Sequence, residues 1–229
     1  MFDAKQLLDQ FLGAPVPGTT GTVKDKASDV AKLAQDNPLA TGAIAAVLLG
    51  TGFGRKLTGD VLKLGGLAAI AGLGYQAYKN YKNGSAPEAA ATPELLPPPA
   101  DSGFATGSPA NNSDFALVLV QAMIAAARAD GQIDPAERAI IMDKVKLSGL
   151  GAEAEAFVTG ELSKPLDMEA LVAKAGTEEQ RVELYTASRL TINPDTRAER
   201  GYLDLLAGRL GLPDDLVNHI ETTVATANA

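Results

Sequence analysis

Two acidic turns hold the side chains best suited to chemistry. Asp130-Gly131-Gln132-Ile133-Asp134-Pro135-Ala136-Glu137 sets three carboxylates around one tight turn, and Asp195 with Glu199 mirrors them further along. Hard cations such as Ca2+ or Mg2+ need several oxygen ligands converging in this way. Asp130, Asp134 and Glu137, helped by Asp195 and Glu199, are therefore candidate ligands of a weak divalent-cation site. The spacing is not that of an EF-hand, because there is no Asp-x-Asp-x-Asp-Gly run and no bidentate Glu at the twelfth position. The same carboxylates also have a mechanical reading. Asp134 and Thr196 are good helix N-caps, Glu137 and Glu199 fall at N3 where they reach back to the cap's backbone N–H, and Pro135 sits at N1. A cap of this kind contributes about 1 kcal/mol.

Other reaction chemistry has few residues to use. Cysteine is absent, which excludes disulfides, thiolate catalysis, zinc fingers and iron–sulfur ligation. His219 is the single histidine, so it is read as a packing residue, and Ser148, Ser163 and Ser188 lack a histidine partner. Gly52-Phe-Gly54-Arg55-Lys56 lacks phosphate-loop spacing and follows no strand. Tryptophan is absent and aromatics make up 5% of the 229 residues, a poor composition for stacking bases or sugars. The net charge of -8 opposes the counterion release that drives nucleic-acid binding. The chain reads as a non-enzymatic protein with no nucleic-acid partner.

The elements that must position the acidic turns are helices. From Ser113 onward, turn residues separate about seven of them: 114–129, 135–148, 152–162, 168–175, 178–191, 197–210 and 214–227. No stretch alternates strongly enough for a strand. The second and sixth helices repeat one another at an offset of 62, Asp134-Pro-Ala-Glu137-Arg138 aligning with Thr196-Arg-Ala-Glu199-Arg200 and Gly149-Leu150 with Gly211-Leu212.

The N-terminal half differs in composition. Residues 1–38 hold an amphipathic helix over Met1–Leu12, a turn-rich stretch and a polar helix. Residues 39–82 are Gly/Ala-rich and apolar, with uncharged runs over 39–53 and 64–78. Gly42, Ala46 and Gly50 recur at every fourth position, and Gly66 and Gly74 mark a second close-approach face; this spacing lets helices pack tightly in lipid. Tyr75, Tyr78 and Lys79 then form an interfacial rim. Each run falls short of the roughly 20 residues of a bilayer span. Both a single span near Leu57–Tyr78 and a re-entrant hairpin over Leu39–Tyr78 fit the pattern. Residues 83–112 are rich in Pro, Ala, Gly and Ser and read as a tether. Residues 1–100 carry 9 basic and 8 acidic side chains, whereas residues 101–229 carry 11 and 20, so a near-neutral apolar half precedes an acidic one.

The stretch AMIAAARADGQIDPAERAIIMDKV resembles the hallmark of the tellurite-resistance TerB-like domain, and INPDTRAERGYLDLLAGRLGLPDDLVNHIE is similar to the C-terminal part of YebE-type inner-membrane proteins of that superfamily. The resemblance covers nearly the whole chain. It implies an all-α domain of antiparallel helices over 113–229 whose acidic residues are suspected of metal binding. Asp130, Asp134 and Glu137 match the first motif and Glu199 the second, while Asn193 is neutral where many relatives offer a carboxylate. The expectation is a stress- or envelope-related protein of the bacterial inner membrane, associated with membrane lipid through the apolar segment 39–82, with its C-terminal domain in the cytoplasm. The alternative is a soluble scaffold that forms homo-oligomers through its Gly-rich helices, since apolar surface of this extent needs lipid or a partner to cover it.

Overall fold

Capping chemistry sets the helix boundaries of the C-terminal half. The computed structural model describes residues 66–87, 97–105, 108, 113–129, 131, 133, 135, 138–139, 141–143 and 152–227. The described helices are α1 Gly66–Lys82, α2 Ser113–Ala127, α3 Ala152–Ser163, α4 Met168–Val172, α5 Glu178–Thr191, α6 Arg197–Leu210 and α7 Asp214–Ala227. Residues 138–139 and 141–143 are helical too, and no strand occurs among the described residues. The all-helical bundle expected for this half is therefore present. α5 starts at a capping box in which the Gln180 amide N–H donates to Thr177 Oγ1 (3.2 Å) and the Thr177 N–H donates to Gln180 Oε1 (3.3 Å). α4 starts at Asp167, whose carboxylate accepts from the Ala170 N–H at 2.9 Å.

α5 is the axis of the bundle. It packs on α1, α2, α6 and α7, and every residue from Val182 to Thr191 is buried. A helix covered on all sides must satisfy each polar group it brings inside. Thr186 and Thr191 return their hydroxyls to the Val182 and Ala187 carbonyls at 2.8 and 2.9 Å. Ser188 Oγ lies 3.3 Å from the Tyr202 hydroxyl of α6, and that hydroxyl also donates to the Ala122 carbonyl of α2 at 3.4 Å. Burial pushes the Tyr202 phenol up to about 12, against the smaller lowering by its bond with Ser188.

The apolar N-terminal material enters this same core. α1 packs on α7 and α5, with Ile70, Leu73 and Ala77 fully buried between them. Burying each large apolar side chain stabilises by roughly 2 kcal/mol, so α1 is an integral helix of the bundle. The expected division between an anchor over 39–82 and a domain over 113–229 is thus crossed by the packing at α1. The proline-rich stretch between them is held down as well. Phe104 is buried, its ring 5.9 Å from that of Tyr75 and 5.4 Å from that of Tyr78. Turn bonds from the Ser102 N–H to the Pro99 carbonyl (2.9 Å) and from the Ala105 N–H to the Ser102 carbonyl (3.0 Å) shape the segment that delivers it. Gly103 brings the segment close to α5: a Cβ there would lie 2.7 Å from Glu179 Cδ, so the Glu179 side chain would have to shift.

Candidate functional site

Of the candidate cation ligands, Asp195 and Glu199 lie among the described residues, while Asp130, Asp134 and Glu137 lie outside them. Glu199 is committed to the cap of α6. Its Oε2 accepts from the Thr196 N–H at 2.8 Å, Thr196 Oγ1 accepts from the Glu199 N–H at 3.1 Å, and the side chain is buried. Asp195 is exposed and is clasped by its neighbour, both carboxylate oxygens accepting from the Asn193 amide at 2.9 and 3.0 Å. The neutral Asn193 thus supplies a donor where a ligand would be needed. Among the described residues, no three acidic or histidine side chains are placed to hold one metal ion. The glycine of Ala129-Asp130-Gly131 has a backbone reason of its own, because Gly131 takes a φ of +154° that side-chain-bearing residues rarely adopt.

The candidate anchor residues divide in the same way. Gly42, Ala46 and Gly50 lie outside the described residues, and Gly66 begins α1. Gly74 faces the bundle: a Cβ there would sit 3.3 Å from Val182 Cγ1 and 3.5 Å from Phe104 Cε1. The aromatic rim is bound to protein. Tyr78 donates to Glu178 Oε2 at 2.9 Å, Lys82 Nζ lies 4.9 Å above the Tyr78 ring and 3.6 Å from Glu178 Oε1, and Tyr81 sits edge-on to His219 at 6.3 Å. Lys79 is exposed. Among the described residues, no helix is long and apolar enough to cross a membrane.

A polar network that the sequence did not advertise joins α5 to α7. Arg189 is buried and pairs through Nε with Glu221 Oε2, while its second arm donates to the Ile192 carbonyl at 2.9 Å, tying down the end of α5. Tyr185 donates to Glu221 Oε1 at 2.7 Å. Burial first, and the Glu221 charge second, raise the Tyr185 phenol well above its ordinary range. Arg189 and Glu221 are 32 residues apart, so no local pattern joins them.

Among the described residues, two open cavities lie against α2. A cavity of about 280 Å³ is lined by Ile124, Ala125 and Leu171, and by charged side chains of both signs, Arg128, Lys164 and Lys174 with Glu161 and Asp167. A second, of about 460 Å³, is floored by Asp114, Leu117 and Val118 and walled by Phe157 and Gln180. The two share Gln121 and Lys174, which border both cavities. Lys174 Nζ donates to Gln121 Oε1 at 2.6 Å and Arg128 to the Lys164 carbonyl at 2.5 Å, whereas Lys164 pairs with Glu161 at 2.6 Å. Leu166 is 44% exposed at the mouth.

Comparison with known proteins places the chain by sequence. The profile of a family described as protein of unknown function (DUF533) matches residues 34–224. A protein of Yersinia enterocolitica, described as an uncharacterized protein in the ampR 5′ region, is 34% identical over 106 residues, which cover 46% of this chain and 76% of the relative. No solved structure matches the chain.

Proposed function

The chain belongs to the DUF533 family, a TerB-like family, and from that premise we propose that it is a non-enzymatic binding protein of the bacterial envelope, held at the inner membrane by the apolar run over 39–53. What supports this reading is the uncharged run over 39–53, and the place of α1 in the bundle core limits how far from that run the bundle can lie. With α1 in the core, residues 54–65 are all that separate the bundle from that run. Twelve residues reach at most about 40 Å at full extension, against about 100 Å for the thirty residues of 83–112. In this reading the bundle is not cargo on a long leash. It is kept beside whatever surface the apolar run enters, and the 83–112 segment is an internal crossover between α1 and α2. The bundle's polar groups support a binding role over a catalytic one, since Glu199, Arg189, Glu221 and Tyr185 are engaged in caps and interhelical bonds.

The experiment is fractionation of cells expressing the chain at native level, beside a variant lacking 39–53. Wild type should pellet with membranes and be released by detergent, while the deletion should move to the soluble fraction with its helical circular dichroism retained. Wild type found wholly in the soluble fraction overturns the anchored reading. A second reading, the self-assembling scaffold, is favoured by the length of the run, about 15 residues against the roughly 20 that span a bilayer. A monodisperse oligomer in detergent-free light scattering is its signature.

A further inference from the structure

The direction of α1 fixes which end of the bundle stands nearest the apolar run over 39–53. Tyr78 bonds to Glu178 at the start of α5, while Gly74 lies against Val182 and Thr186 further along, so the two helices run antiparallel. Gly66 comes a further two turns back, about 12 Å along the axis, and therefore lies beside the C-terminal end of α5. There the chain turns through residues 192–196 into α6, which runs back along α5 to set Tyr202 beside Ser188. The two ends differ in charge. At the far end the cations Lys79 and Lys82 stand with Glu178 and Glu179, which open α5, and with Asp214 and Asp215, which open α7. At the near end Asp195, Arg197 and Arg200 are all exposed. The Asp195 carboxylate is clasped by the Asn193 amide, and Arg200 donates to the Pro194 and Asp195 carbonyls at 2.8 and 2.9 Å, neutral groups that leave its charge uncompensated.

We propose that the turn between α5 and α6 is the lipid-facing end of the bundle, and that Arg197 and Arg200 there bind the phosphates of anionic headgroups. The inference rests on the anchored reading and names the surface through which the bundle meets the bilayer. The chain outside the bundle ends at Gly66, so the near end is the one tied to the run. A coil of twelve residues averages about 20 Å end to end, less than the roughly 25 Å that α1 spans. The near end is thus held within reach of the headgroups while the far end stands a helix length behind it. An anionic surface attracts the two arginines, whose planar forks match phosphate oxygens, and repels the acidic pairs that open α5 and α7. One arginine at such a surface strengthens the contact about fivefold.

The chain has no cysteine, so a single thiol can carry a fluorophore at a chosen place. Ala198→Cys marks the near end and Ser85→Cys the far end, both at exposed positions. The full-length chain is reconstituted in nanodiscs of phosphatidylcholine and phosphatidylglycerol, with a nitroxide quencher on some of the headgroups. The label at position 198 should be quenched severalfold more than the label at position 85. Omitting phosphatidylglycerol should cut that difference by about half or more, and so should Arg197→Gln with Arg200→Gln. Arg197→Gln alone keeps the Arg200 bonds that shape the turn and should remove part of the difference. Equal quenching at the two positions, on a chain that stays with the discs, overturns this inference and leaves the anchored reading standing. A difference unmoved by both lipid charge and the arginine changes overturns it too. A chain that leaves the discs overturns the anchored reading itself, and the lipid-facing end with it.

Discussion

Arg189 of α5 and Glu221 of α7 form a buried ion pair that shares its carboxylate with the hydroxyl of Tyr185, one turn earlier on α5. The Arg189 side chain is 6% exposed and that of Glu221 29%, so the arginine end is dry and the carboxylate end is partly wet. Removing one partner from a buried pair leaves the other charge stranded, at a cost of about 3–5 kcal/mol when both are dry. Partial exposure of Glu221 puts the expected loss for Arg189→Met near the lower end, about 3 kcal/mol. Arg189→Met combined with Glu221→Leu should cost clearly less than the two single changes added together. Urea unfolding of the four proteins measures this, and strict additivity would show that the two side chains do not depend on each other.

Tyr202 makes stability depend on alkaline pH. Folding keeps its phenol protonated up to about 12, whereas an unfolded tyrosine ionises near 10. The stabilisation is therefore complete below pH 10 and is lost as pH rises through 12, at up to about 1.4 kcal/mol per pH unit. Tyr202→Phe should cost about 1 kcal/mol at pH 7, through its bonds to Ser188 and Ala122, and should flatten the decline above pH 10. Urea midpoints at pH 7, 9, 10.5 and 11.5 compare the two slopes. Equal slopes would mean that Tyr202 ionises in the folded protein as it does in water.

Phe104 should behave as a core residue although it lies in a proline-rich stretch. Phe104→Ala removes a ring lodged between α1 and α5, with an expected loss of about 3–5 kcal/mol. A free tether would give no change. Limited proteolysis within 83–112 should accelerate in the variant, and the unfolding midpoint should fall with it.

The cap of α6 and the Asp195 clasp predict different responses to cations. Thr196→Ala should destabilise by about 1 kcal/mol equally in EDTA and in millimolar Ca2+, because Thr196 and Glu199 serve each other's backbone N–H. Asp195→Asn should leave any difference between the EDTA and Ca2+ melts as it is in wild type. A Ca2+ shift that disappears with Asp195→Asn would show that the cation displaces the Asn193 amide.

The helices of the C-terminal half were legible because their signals are local. The observed bounds of α5, α6 and α7 coincide with the expected ones, and Thr196 with Glu199 forms the expected capping box. α4 stops at Val172, three residues early, and Lys174 and Ala175 close it through turn bonds. What the sequence left open is what covers an apolar face. Ile70 and Leu73 present the same pattern whether they meet lipid or α5 and α7, and tyrosines beside lysines read equally as a lipid rim or as ring contacts with Phe104. The isolated Phe104, an aromatic within Pro, Ala and Gly, was the usable signal that this stretch is pinned. The two cavities had none, since their linings come from α2, α3, α4 and the start of α5 and exist only once those elements meet.

The pairing of α1 with α7 also sets a clock for biosynthesis. Ala227 is translated 145 residues after Lys82, and at about 5–20 residues per second the ribosome needs roughly 7–30 s to cover that distance. During that interval Ile70, Leu73 and Ala77 have no α7 to close over them. The nascent chain therefore exposes an apolar helix long before it can be buried, and whatever first meets that helix, a bilayer or a chaperone, competes with a partner the ribosome has yet to make.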